Sequence, residues 1–135
     1  MRFADAEKLA ENLKASNPTD TFLAVRAVCC SYAGSDVLQF GGCLVLQLTY
    51  SAGPTMPDAE VKERAFSCIF ESRTLTDTQH RLDFIYNKLV TIFPALKVNL
   101  FLFEEGQSTE YFITDPPKGT AFFEQFGHAV LVILM

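Results

Sequence analysis

Residues 66–93 constrain the fold most, because one uninterrupted segment reads as an extended strand feeding directly into an amphipathic helix. In an extended chain Phe66, Cys68 and Phe70 share one face and Ser67 and Glu71 fall on the other, with Ile69 between them, since strand side chains alternate with period two. Thr76, Asp77, Thr78 and Gln79 then have capping-box spacing, in which the Thr hydroxyl and the Gln side chain each satisfy an orphan amide of the first turn. From Leu82 onward, Ile85, Tyr86, Leu89, Val90, Ile92 and Phe93 follow the three-and-four spacing of a buried stripe. Arg81, Asp83, Asn87, Lys88 and Thr91 mostly occupy the other side. Pro94 disfavours helical geometry at Phe93 and ends the helix there. Such a unit specifies an architecture and not a chemistry.

The full chain, 1–135, reads as a single domain, long enough to bury a core without covalent staples. With 49% hydrophobic and 20% charged residues it falls outside the composition of disordered chains. A net charge of -5 argues against a broad basic face that grips phosphates. Cys29, Cys30, Cys43 and Cys68 form no C-x-x-C pair and sit in apolar surroundings, so they read as buried thiols of a reducing compartment. The first residues lack the apolar core of a signal peptide, and no apolar run reaches the ~18 residues of a membrane-spanning helix. No membrane association is expected.

Residues 3–15 read as a first helix, with Phe3, Ala6, Leu9, Ala10 and Leu13 as its stripe, acids early and Lys14 near the end. Residues 21–32 and 37–50 read as strands, the second with a bulge or kink at Gly41 and Gly42, joined by a turn over 33–36. Residues 51–58 carry two prolines and read as a loop. Segments 97–104 and 110–114 flank Glu105, Gly106 and Gln107 as a hairpin, and 115–119 is a further loop. An apolar strand over 128–135 closes the chain, and central placement in a sheet is the expected cover for it. The order predicts an α+β fold, two helices packed on one face of a mostly antiparallel, twisted sheet.

No nucleophile elbow, phosphate loop or zinc-protease helix is present, and the chain reads as a non-enzyme without a cofactor. His80 reads as solvated and His128 as a strand-edge or interface residue. A reactive Cys43 or Cys68 would need an electropositive, partly exposed site. Scattered aspartates match no calcium loop, so no metal is expected. Partner contacts are better signalled. Phe122, Phe123 and Phe126 crowd a segment after a Pro/Gly loop, and aromatics are enriched in interface cores. With Arg73 of the corner before the second helix and Met56 of the 51–58 loop, they are the candidate interface residues.

An N-terminal helix, an early strand containing Val25 and Arg26, and a strand ending in Glu71, Ser72, Arg73, Thr74 and Leu75 lead into the long helix, before a closing apolar hairpin and strand. In length, element order and this short motif the chain resembles the tail terminator, or tail completion, proteins of tailed phages. That family runs an aromatic-rich strand into an S-R-x-L-like corner and then a helix, a parallel that covers residues 66–103. The resemblance implies a structural protein of the virion tail or neck, made in the host cytoplasm. It implies a homo-oligomer, typically a hexameric ring, that caps the tail tube and contacts tube, sheath and neck proteins. DNA would pass through the lumen without specific binding, which an acidic chain suits. The 51–58 loop and the 115–127 segment depart from the simplest family pattern. Another phage neck or tail ring protein and an acidic secretion-chaperone-like binding module are the alternatives.

Overall fold

A computed structural model describes residues 3–27, 30–34, 37–40, 43–50, 53–106, 109–124 and 126–135. The elements in order are α1 (Phe3–Ser16), β1 (Asp20–Ala27), β2 (Cys30–Ala33), β3 (Val37–Phe40), β4 (Cys43–Thr49), α2 (Asp58–Glu71), a 3-10 turn (Ser72–Thr74), α3 (Thr78–Ile92), β5 (Val98–Glu104), β6 (Thr109–Ile113), β7 (Gly119–Phe123) and β8 (His128–Leu134). The fold is α+β, with helices and two antiparallel four-stranded sheets. The backbone divides into two compact units, one of residues 1–28, 35–52 and 107–116 and one of residues 29–34, 53–106 and 117–135.

The first unit is the sheet β3-β4-β1-β6 with α1 packed on β1 and β6. The stripe read from the sequence is the buried one: Ala6 and Ala10 are fully covered, with Leu9 and Leu13 beside them, against Phe22, Ala24, Cys43 and Val45. Alternation along β1 and β4 sends Phe22, Ala24 and Val45 to this face. Asp115 ties α1 to the sheet. Its Oδ2 accepts hydrogen bonds from Lys14 Nζ at 2.7 Å and Thr21 Oγ1 at 2.7 Å, and Lys14 Nζ also donates to the Asp20 carbonyl at 2.9 Å. Burial alone would raise the Asp115 carboxyl, but the bonds from Lys14, Thr21 and Thr114 and the Lys14 charge outweigh it and hold the group below its ordinary value. A depressed carboxylate contributes stability that is present above the ordinary value of about 3.9 and is lost as pH falls through the depressed one. Asp115→Asn should therefore cost about 1–2 kcal/mol in urea denaturation at neutral pH, and the two proteins should converge in strong acid.

The second unit is the sheet β2-β5-β8-β7 with α2 and α3 together on one face, α2 on β7 and α3 on β5 and β2. Two helices on one sheet face were expected, but the pair is α2 and α3, whereas the expected first helix, α1, packs on the other sheet. Its core joins Val61, Ala65, Cys68 and Ile69 of α2 to Leu82, Ile85 and Leu89 of α3 and to Leu100, Leu102, Phe123, Val130 and Val132 of the strands. As expected, β8 is central, lying between β5 and β7 with every residue buried. Gly119 lets α2 approach β7, because a Cβ there would stand 2.8 Å from Val61 Cγ2. The Asp58 carboxylate in the first turn of α2 accepts a hydrogen bond from Thr120 Oγ1 of β7 at 2.9 Å.

Several sequence expectations are corrected. Residues 66–73 are not a strand: they are the second half of α2 and the 3-10 turn. The buried residues Val61, Ala65, Cys68 and Ile69 fall at i, i+4, i+7 and i+8, a helical stripe that leaves Phe66 and Phe70 of the period-two pattern outside it. The helix begins after Pro57 with Asp58 and Glu60 in its first turn, where acids complement the dipole. Residues 21–32 contain two strands in different sheets, and 37–50 contain β3 and β4 paired antiparallel with Phe40 opposite Cys43. The expected kink at Gly41 and Gly42 lies outside the described residues, as do Cys29 and residues 35, 36, 51, 52 and 107 of the expected turns and loop. Segments 97–104 and 110–114 are strands but not a hairpin, because β5 pairs with β2 and β8 while β6 pairs with β1. Residues 119–123, read as irregular, form β7. The α3 cap is Asp77 and not Thr76: the Asp77 carboxylate accepts from the His80 amide at 3.0 Å. The helix ends at Phe93 before Pro94, as expected.

Candidate functional site

The corner between α2 and α3 organises the most distinctive chemistry of the second unit. The Ser72 amide closes α2 on the Cys68 and Phe70 carbonyls, the Ser72 hydroxyl donates to the Ile69 carbonyl at 2.7 Å, and the Leu75 amide returns to the Ser72 carbonyl. The chain is thereby turned so that Arg81, in the first turn of α3, meets Ser72 from the inside. Arg81, placed on the polar side by sequence periodicity, is 1% exposed. Its Nε donates to Ser72 Oγ at 2.9 Å, and its Nη1 donates to the Phe126 carbonyl at 2.5 Å and to His128 Nδ1 at 2.9 Å. Arg81 Nη2 is buried without a hydrogen-bond partner among the described residues.

A guanidinium only donates, so the bond to Arg81 fixes His128 Nδ1 as the unprotonated nitrogen. Nε2 then carries the hydrogen and faces Thr78 Oγ1 at 3.4 Å. Burial and the Arg81 charge push the His128 imidazole below its ordinary value, against the opposite pull of Glu104 and Glu105. Burial likewise lowers Arg81, with Glu105 acting the other way. His128 is thus a buried hydrogen-bond acceptor on a central strand, a correction of the strand-edge role expected from sequence.

The other end of this network reaches the surface. Phe126 has φ 63° and Gly127 φ 94°. For a phenylalanine the left-handed region costs about 1–2 kcal/mol, and the Arg81 bond to its carbonyl holds it there. The Phe126 ring then stands edge-on to Phe70 with centroids 5.6 Å apart and to Phe66 at 6.3 Å. Phe66 and Phe70, one helical turn apart, stack at 6.0 Å and remain 44% and 40% exposed. Arg73 lays its guanidinium over Phe70 at 3.7 Å while Nη1 donates to the Phe70 carbonyl. The result is a continuous exposed aromatic patch of Phe66, Phe70 and Phe126 with one cation on it.

Of the interface residues read from sequence, Phe126 and Arg73 meet in this patch. Phe123 does not: it is 1% exposed, a core residue of β7. Phe122 is half-buried on the alternate face of the same strand. Met56 is half-buried against the core, its amide bonded to the Lys118 carbonyl at 2.7 Å and its sulfur 3.9 Å from Arg64 Nη1. Phe66 and Phe70 were missed because period two assigned both to a buried face, whereas their i, i+4 spacing is the helical signal.

His80 has a 78% exposed side chain with Nδ1 3.7 Å from Asp77 Oδ2, the solvated position expected. Cys68 is buried, donates to the Ala65 carbonyl at 3.1 Å, and has its thiol pushed up to about 11 by burial and by Glu71, which keeps it protonated at neutral pH. Cys43 is buried in the first unit. Among the described residues no three His, Cys, Asp or Glu side chains converge as metal ligands, and no helix is long and apolar enough to cross a membrane. Comparison of the chain with protein-family models, curated proteins and solved structures yields no match.

Proposed function

We propose that this chain is a structural assembly protein of a phage virion, a tail terminator that caps the tail tube as an oligomeric ring and joins it to the neck. The observation that carries the reading is the exposed Phe66, Phe70 and Phe126 patch, built beside the Ser72 to Leu75 corner that bears the family resemblance. The segment before that corner is helical where the family has a strand, so the support comes from the corner and the helix after it. In this reading the patch seats against a neighbouring copy, since half-exposed aromatics next to an arginine are typical interface anchors. The chain contributes contact surface and carries out no reaction.

The purified protein should then form rings by negative-stain imaging and give a mass several times that of one chain by light scattering. Added tail tubes should carry density at one end. Phe66→Ser combined with Phe70→Ser should lower the assembled fraction at least tenfold without unfolding the chain. A monomer at every concentration that leaves tube ends bare would overturn the proposal. A stable dimer that binds an extended peptide would instead support the acidic secretion-chaperone-like module.

A further inference from the structure

We propose that Arg81 and His128 form an acid-responsive latch on the Phe126–Gly127 turn, so that protonating His128 withdraws the Phe126 ring from Phe66 and Phe70 and breaks up the aromatic patch. The inference goes beyond the assembly role and holds whatever the patch contacts. A single Arg81 nitrogen, Nη1, bonds both the Phe126 carbonyl and His128 Nδ1 through its two hydrogens, so the turn and the imidazole are coupled through the position of one atom. That coupling requires a bare Nδ1. Once protonated, both imidazole nitrogens donate, the acceptor is gone, and two cations face each other at hydrogen-bond distance.

The charged groups around His128 are Arg81 on α3, Glu104 directly opposite on β5, and Glu105 following it. Thr78 faces Nε2, and Ser72 holds the far side of the Arg81 guanidinium. Glu104 and Glu105 stabilise the imidazolium once formed, so acid produces a defined second state and not merely strain. Arg81 Nη2 has no partner among the described residues, so the guanidinium can turn without breaking a bond at that nitrogen. Without its donor Phe126 loses the bond that holds its left-handed backbone, and the turn relaxes. The sign follows from the lowered imidazole value. The latched state is complete above the ordinary histidine value of about 6.5 and is lost as pH falls through the depressed one.

The test is an NMR titration of the whole chain from about pH 7.5 to about pH 4.5, read against the Glu and Asp side chains that begin to titrate near its acid end. The His128 ring and the Phe66, Phe70 and Phe126 rings should shift with one shared midpoint, while the Ile85 and Leu89 methyls stay fixed. His128→Gln, which keeps an acceptor and cannot be protonated, should abolish the aromatic shifts, and His80→Asn should leave them intact. The latch is overturned by aromatic shifts with a different midpoint, by their persistence in His128→Gln, or by fixed aromatic rings while His128 titrates. Simultaneous movement of the core methyls would also overturn it, because that is global unfolding. Should His128→Gln fail to fold, the agreement or disagreement of midpoints in the parent protein decides alone. None of these readouts depends on ring assembly.

Discussion

Arg81→Ala should destabilise the protein by about 4 kcal/mol, seen as a fall of about 12 °C in thermal midpoint. The side chain makes three hydrogen bonds inside a 1% exposed site. Truncation leaves the Phe126 carbonyl and His128 Nδ1 without a donor, at about 1 kcal/mol or more each, and the lost Ser72 bond and the cavity add the remainder. Removing a buried charge returns part of this, which Arg81→Met isolates. Met retains the aliphatic bulk, so it should cost roughly half as much. Arg81→Lys should not rescue, because one ammonium cannot reproduce a fork that reaches Ser72 on one side and Phe126 with His128 on the other. A loss below about 1 kcal/mol for Arg81→Ala in urea denaturation would show that the network is not structural.

The second large effect separates three phenylalanines that look alike in sequence. Phe123→Ala should cost about 3–5 kcal/mol, because the ring is fully buried among Val61, Ala65 and the strand core. Phe66→Ala or Phe70→Ala should each cost about 1 kcal/mol or less, since each ring is already close to half exposed and loses mainly its contacts with the other two. Denaturation curves of the three variants decide the matter. Equal losses would mean that the surface patch is part of the core and leave it no role in contact.

How much of this was legible in the sequence depended on whether the governing interaction was local. The α3 helix was, because the stripe through Leu82, Ile85 and Leu89 and the stop at Pro94 lie within one element. So was α1, through Ala6, Ala10 and their neighbours. Residues 66–71 misled because Phe66, Cys68 and Phe70 satisfy period two, and only the residues before them, from Asp58 to Ala65, show that the stripe is helical. The partners of β5 and β6 were not readable, because Glu105 and Gly106 signal a reversal whether or not the flanking strands pair. Arg81 falls on the polar side by periodicity, and its burial is decided by Phe126 and His128 some forty-five residues away. Phe126 and Arg73, read from the sequence as interface candidates, both belong to the surface aromatic patch. That Phe126 reaches Phe70 follows from a left-handed backbone that no local pattern announces.

The interleaving of the chain bears on how the protein is made. The boundaries between the two units fall after residues 28, 34, 52, 106 and 116, so neither unit is a contiguous segment of the chain. In the first sheet β1 pairs with β6, Leu23 opposite Ile113, and this edge forms only when nearly the entire chain is available. During synthesis at about 5–20 residues per second, β1 waits several seconds for that partner. Long-range antiparallel pairing of this kind places folding toward the slow end of the range for small domains. A nascent chain would meanwhile leave one edge of β1 open while its other edge pairs with β4. Early-terminated products would therefore be more prone to association than the finished protein, and splitting the gene into two halves would leave both halves without a complete sheet.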